Sequence, residues 1–361
     1  MVSLEYLFIW VALFASLSSP FKRIDFQPGP FGEDAYTENA GIYNLTEFMV
    51  LQPTSYYGVN SYWTIYFITA SNSHDYFLVG HCNAGFFSGA APSLLVRASM
   101  LDITDGVYSS LTVLPDNATI SNDTYNFYAP PLHCYSNSAD LFSSITVVSE
   151  IPGATFNITS LSDGPKFFDA GSGTFMWGNQ TNEWAIPNGY VTGTITYNDT
   201  VYDIISSQSL SWFDRQWGPA DGHGGWQLFI FYLSNDLKVC VWHGFEVDGF
   251  TLNMATILYP DGHHEVEIVD PDIHPSVPFL GPYSGVQYYG AFEVLIPGKN
   301  AYLHITLPVL AGEITNPKLP TASYTLFEGY MTVEGCWEGE KVTGFGDSEQ
   351  HQPYDQYPQG P

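Results

Sequence analysis

The chain has 361 residues, 45% hydrophobic and 16% aromatic, enough to bury the core of two domains of ordinary size. Nine Lys plus Arg stand against 37 Asp plus Glu, a formal net charge of −28, and charged residues are only 13% of the whole. With no basic patch to hold phosphates, nucleic acid and anionic membranes are excluded as partners.

Residues 6–17 form an apolar run, and Ser18-Ser19-Pro20 follow it. This reads as a secretory signal peptide over 1–18, too short to span a bilayer and leaving no integral span once cleaved. It departs from the usual leader in carrying Glu5 and no basic side chain. Six Asn-x-Ser/Thr sequons agree with a secreted or secretory-pathway protein: Asn44, Asn117, Asn122, Asn157, Asn179 and Asn198. The four cysteines divide as Cys82 and Cys134, then Cys240 and Cys336. In an oxidising compartment the simplest expectation is one bridge per half.

Past the leader, helical periodicity is nearly absent. Short apolar or alternating runs at 62–69, 76–80, 93–101, 107–114, 142–149, 189–197 and 201–206 read as strands. Further runs follow at 226–233, 237–247, 251–258, 264–269, 286–296, 301–307 and 331–338. Ser234-Asn235-Asp236 and Pro260-Asp261-Gly262 are hairpin turns. The proline-rich stretch 270–283 reads as a long loop. The fold class is therefore all-β, a sandwich or barrel. A Gly-rich link at 222–225 and the motif before it set the domain boundary. One β-domain is expected over 19–210, a second over 211–349, and a disordered tail over 350–361.

The segment Ser211-Trp212-Phe213-Asp214-Arg215-Gln216-Trp217-Gly218 places a carboxylate and one of only three arginines among aromatics. Ionised groups in such surroundings are costly unless paired. On a strand, Trp212, Asp214 and Gln216 share one face, and Phe213, Arg215 and Trp217 the other. Two readings stand side by side: Asp214 is an acid with a desolvation-raised pKa, or Asp214 and Arg215 form a structural pair. Asp169, Glu183, Glu334 and Glu349 also lie among aromatics, and each is expected at the surface or a rim. His263-His264-Glu265 points its two rings to opposite faces of a strand, so no metal is expected. No phosphate-binding glycine loop or nucleophile elbow occurs, so no nucleotide cofactor and no serine hydrolase is expected.

Gly173-Thr174-Phe175-Met176-Trp177-Gly178, then Glu183-Trp184-Ala185-Ile186-Pro187, then the Asp-Arg-Gln-Trp segment resemble the hydroxyneurosporene synthase and kievitone hydratase family. More distantly, the chain is similar to the fungal Diels–Alderases. The resemblance implies two consecutive lipocalin-like β-domains, an apolar pocket and no cofactor. It further implies a tailoring enzyme of fungal secondary metabolism that hydrates, isomerises or cyclises an apolar small molecule. A pericyclase acting by pocket shape and a carrier without turnover are the alternatives. Alkene protonation requires a neutral acid and an aromatic wall for the developing cation. Asp214 is the expected acid, Glu349 a second carboxyl group and Gln216 the orienting partner. Trp177, Trp184 and Trp212 are the expected wall, and Arg215 and Trp217 are structural.

Overall fold

The computed structural model describes residues 44–52, 59–85, 93–177, 179–219, 222–247 and 250–359, so the expected leader lies outside them. A short helix, α1 (Leu45–Met49), is capped by Asn44, whose side chain accepts the Thr46 N–H at 3.0 Å. Among the described residues that follow, no further α-helix occurs; they form strands, 3₁₀ turns and the loops between them.

The first sheet is built from β1 (Val59–Thr69), β2 (Asp75–Gly85), β3 (Ser93–Asp102), β4 (Val107–Val113), β5 (Thr119–Ile120), β6 (Asn126–Ala129) and β7 (Leu132–Ser136). It continues through β8 (Ser144–Ile151), β9 (Ala154–Ser162), β10 (Phe167–Phe168), β11 (Thr174–Trp177), β12 (Asn179–Tyr197), β13 (Thr200–Asp203) and β14 (Leu210–Gly218). Its order is β4-β3-β2-β1-β14-β12-β9-β8-β7-β6-β5, all antiparallel neighbours, with β10, β11 and β13 paired to β12. The second sheet takes β15 (Trp226–Leu233), β16 (Lys238–Val247), β17 (Phe250–Leu258), β18 (His264–Ile268) and β19 (Ser276–Leu280). To these it adds β20 (Gln287–Ile296), β21 (Ala301–Thr306), β22 (Glu313–Ile314), β23 (Leu326–Trp337) and β24 (Glu340–His351), in the order β18-β17-β16-β15-β24-β23-β21-β20-β19 with β22 on β23.

Two curled antiparallel sheets result, as the all-β reading expects. Each keeps its own core. Tyr62, Tyr66, Leu78 and Cys82 turn into the first, and Phe229, Phe231, Val239 and Phe292 into the second. The reverse faces meet each other: Trp63, Ile65, Phe67 and Phe77 pack against Leu228, Ile230, Tyr232 and Phe345. This explains why β1 and β15 read as near-continuous apolar runs. They are covered on both sides, and each large apolar side chain so buried contributes about 1.5–3 kcal/mol. Polar bonds stitch the seam, with the Tyr232 hydroxyl donating to the Pro187 carbonyl at 2.5 Å and the Thr112 N–H to the Thr315 carbonyl at 2.9 Å.

The structure corrects four expectations. The Asp-Arg segment is β14, paired with β1 and β12, so the division between sheets falls after Gly218 and not at 210/211. The stretch 350–359 is no loose tail: Gln350 and His351 end β24, Tyr354–Gln356 make a 3₁₀ turn, and the Tyr357 ring is buried. The loop expected over 270–283 contains β19, an edge strand on which a proline is tolerated. Cys240 and Cys336 do not meet; Cys240 is buried beside Asp169, and the Cys336 thiol faces the Asn300 carbonyl at 3.8 Å. Cys82 and Cys134 do face each other as thiols, 2.9 Å apart. The two expected hairpins form, with Asp236 (φ 69°) and Gly262 (φ 93°) in the left-handed region. All six sequon asparagines are exposed.

Candidate active site

Where the sheets meet, they leave a cavity of about 580 Å³. The first sheet lines it with Ser61, Trp63, Ile65, Glu183, Asp214 and Gln216. The second contributes Trp226, Leu228, Ile230, Trp242 and Glu349. Strand alternation decides which residues of the motif take part. Asp214 and Gln216 face the cavity, while Phe213, Arg215 and Trp217 turn into the first core or its rim. Register then sets a row across four strands: Arg97 opposite His81, His81 opposite Trp63, and Trp63 opposite Asp214. One step along, Asn83, Ser61, Gln216 and Glu183 form a parallel row.

Arg215 is structural. Its guanidinium is fully buried, donates to the carbonyls of Phe48 and Val50 and to Asn60 Oδ1 (2.6 Å), and lies 4.2 Å over the Tyr62 ring. It therefore ties α1 and the segment after it to β1 and β14.

The cavity carboxyls sit in contrasting surroundings. Burial pushes Asp214 well above the usual carboxylate range, and Glu349, Asp169 and Asp347 push it further; the Trp212 indole opposes them weakly as a hydrogen-bond donor. Burial also raises Glu183 strongly, and its Oε2 accepts the Gln216 amide at 3.1 Å. Glu349, on the opposite wall, is raised by burial, but three neighbours favour its ionised form. The Trp226 indole N–H donates to it, the Glu328 carboxyl faces it from the neighbouring strand, and the Arg97 charge attracts it. Asp169, beside Cys240 and Trp242, is pushed up to about 7 by burial. Behind Glu349, the fully buried Glu328 and Asp347 add two more acids, with Asp347 raised to about 8 by burial. Glu328 stands directly across from Glu349 in the β23–β24 pairing.

Several expected roles change. Trp184 is 0% exposed in the first core, packed on Phe142 and Phe213, because its neighbours Glu183 and Ala185 take the cavity face. Trp212 backs the acid, against Phe167 and Tyr232, and does not wall the cavity. Gln216 orients Glu183. Glu183 and Asp169 are buried, not at the surface, whereas Glu334 is exposed. Trp177 does line the cavity, 4.8 Å from Trp226 and 5.0 Å from Trp242. Sequence reasoning missed Trp63, His81 and Arg97. The signal was there for Arg97, one of three arginines on an otherwise apolar strand. Away from the cavity, His74, Asp102 and Asp105 gather. There the Asp102 carboxylate bonds the His74 ring at 2.8 Å and accepts the N–H groups of Thr104 and Asp105, which closes the β3–β4 turn.

Two curled sheets whose seam encloses an acid-lined, aromatic-walled cavity define the class: an all-β protein with the means for acid–base chemistry on an apolar molecule. The particular relatives agree. The chain is a homologue of kievitone hydratase from Fusarium solani subsp. phaseoli, 28% identical over 348 residues and covering 93% of each chain. Dehydratase asqC of Emericella nidulans is 25% identical over 362 residues, covering 93% of this chain and 96% of its own. Among solved structures, kievitone hydratase from Nectria haematococca superposes with a TM-score of 0.80 at 22% identity, over 93% of this chain and 99% of the other. CghA does so with a TM-score of 0.57 at 13% identity, over 91% of this chain and 98% of its own. No family model matches the sequence. Among the described residues, no helix is long and apolar enough to cross a membrane.

Proposed function

We propose that this chain is a hydro-lyase of fungal secondary metabolism, adding water to or removing it from a carbon–carbon double bond of an apolar small molecule. The observation that carries this reading is the pair Asp214 and Glu349 on opposite walls of one aromatic cavity, in surroundings that pull their proton affinities apart. That separation is the arrangement needed to divide acid and base roles. The named hydratase and dehydratase relatives support it, since the two names describe one reaction in opposite directions.

In the hydration direction, Asp214 as the neutral acid gives its proton to one alkene carbon. The cation left on the other carbon lies beside Trp63 and Trp177, whose ring faces steady it by about 0.5–2 kcal/mol each. A water oxygen bonds to that carbon while Glu349, as the carboxylate, takes the water proton. Asp214 ends ionised and Glu349 protonated, and one proton exchanged with solvent restores both. Dehydration runs the same steps backwards. The closed cavity also holds the flexible chain of the substrate in one geometry, which lowers the barrier further.

The test is Asp214→Asn, assayed by ¹⁸O incorporation from labelled water across a panel of prenylated phenols. Turnover should fall by roughly 10²–10⁴-fold with the fold intact. Wild-type activity should decline as pH climbs through the raised pKa of Asp214, because the acid form is then lost. Near-normal turnover in a stable Asp214→Asn protein would remove Asp214 from the reaction.

A further inference from the structure

At the far end of the Asp214 row stands Arg97, 6% exposed and lining the cavity. Burial pulls its pKa down to about 10, so it stays charged at neutral pH. Among the described residues it closes no salt bridge. It donates to the Ser323 carbonyl at 3.1 Å, its other terminal nitrogen rests 3.5 Å from His81 Nδ1, and its Nε has no partner. A buried guanidinium without a carboxylate is costly, and buried charges are ordinarily paired.

The groups around it do not supply the missing acceptor. His81 spends Nε2 on the Ser61 hydroxyl at 3.0 Å, and burial and the Arg97 charge hold it neutral. Glu349 attracts Arg97 only at a distance and is already engaged by Trp226. Asn83 Oδ1 and His351 Nδ1, both on cavity-lining residues, are also buried without partners. Polar atoms left unpaired at one end of an otherwise aromatic cavity mark the place where a ligand supplies hydrogen-bonding groups.

We infer that Arg97 forms a subsite for a substrate oxygen acceptor, a carbonyl or an oxyanion such as a phenolate, and that the unpartnered acceptors Asn83 Oδ1 and His351 Nδ1 take a hydroxyl donor of the same substrate head. Three interstrand gaps separate Arg97 from Asp214, about 14 Å along the sheet. The substrate is thus an elongated molecule with an oxygen-bearing head at Arg97 and its double bond at Asp214. This rests on the hydro-lyase reading of the same cavity for the second half of that description, and on Arg97 alone for the first.

Binding decides it without turnover. The tryptophans lining the cavity report occupancy by fluorescence, and 4-butylacetophenone, 4-butylbenzoate and butylbenzene serve as probes. Wild type should bind the acetophenone at least about tenfold tighter than butylbenzene, the range for a hydrogen bond from a charged donor. The benzoate shows whether full negative charge adds to that preference. Arg97→Gln should bring acetophenone and butylbenzene within about threefold of each other, with butylbenzene affinity unchanged as the check on folding. Arg97→Lys should keep part of the preference, and Asp214→Asn all of it. Equal wild-type affinity for butylbenzene and the acetophenone would overturn the subsite even where Arg97→Gln fails to fold. So would a preference that survives in Arg97→Gln. A preserved preference beside full turnover in Asp214→Asn would instead overturn the hydro-lyase reading and leave the subsite standing.

Discussion

At the scale of single residues, one position decides whether a tryptophan belongs to chemistry or to packing. Trp177 and Trp184 lie seven apart in the sequence, yet one lines the cavity and the other is sealed in the first core. Trp184→Ala should cost about 3–5 kcal/mol of unfolding free energy, measured by urea titration. Trp177→Phe should leave stability within about 1 kcal/mol and reduce turnover. Unchanged stability in Trp184→Ala would contradict its place in the core. The alternation of Trp212, Asp214 and Gln216 against Phe213, Arg215 and Trp217 was legible in the sequence, because a two-residue period needs only the strand assignment. The place of Trp184 was not, since its strand differs from its neighbours only in which sheet face is covered by what. Nor was the burial of Glu183 and Asp169, because carboxylates are ordinarily at the surface and only the opposing sheet encloses these two.

At the scale of elements, the strands that sequence reasoning found are those rich in β-branched and aromatic residues, such as β1, β15 and β16. The apolar runs alone do not show β24, whose Gly344, Gly346, Asp347 and Glu349 all disfavour strand on propensity. There packing overrides propensity: a Cβ at Gly346 would run into the Ile230 carbonyl, and one at Gly344 into that of Tyr232. A second element-level consequence concerns β2 and β7, which approach across the curl of the first sheet and bring Cys82 to Cys134. Treatment with glutathione disulfide should join these two sulfurs, releasing two reduced glutathione molecules, and should leave Cys240 and Cys336 free. The closed loop is worth about 4 kcal/mol on the chain-entropy account. Peptide mapping without reductant reads the outcome, and a crosslink that includes Cys240 would refute the arrangement.

At the scale of the whole molecule, the seam holds six carboxyl groups whose proton affinities are all raised, mainly by burial: Asp169, Glu183, Asp214, Glu328, Asp347 and Glu349. In the unfolded chain such groups lose their protons near pH 4. In the folded chain Asp169 holds its proton to about pH 7 and Asp347 to about pH 8. Above about pH 6.5, where the histidines His81, His264 and His351, whose pKa values burial lowers, no longer act in the opposite sense, the folded state binds more protons than the unfolded one and stability falls as pH rises. Self-repulsion of the −28 net charge acts in the same direction. The melting temperature should therefore be higher at pH 6.5 than at pH 8, and Asp347→Asn should flatten the slope. A melting temperature that climbs over that interval would show that these carboxyls are ionised in the native protein.

Because the cavity is walled by the backs of two sheets whose fronts hold separate cores, the Ile65, Leu228 and Ile230 side chains that line it belong to the seam and to neither of those two cores. Substitutions at these three positions change what the seam accepts and disturb the packing of the seam itself, while the two cores behind the sheets keep their own contacts. An architecture of this kind lets one inherited scaffold take up new substrates by small steps, each tolerated on its own.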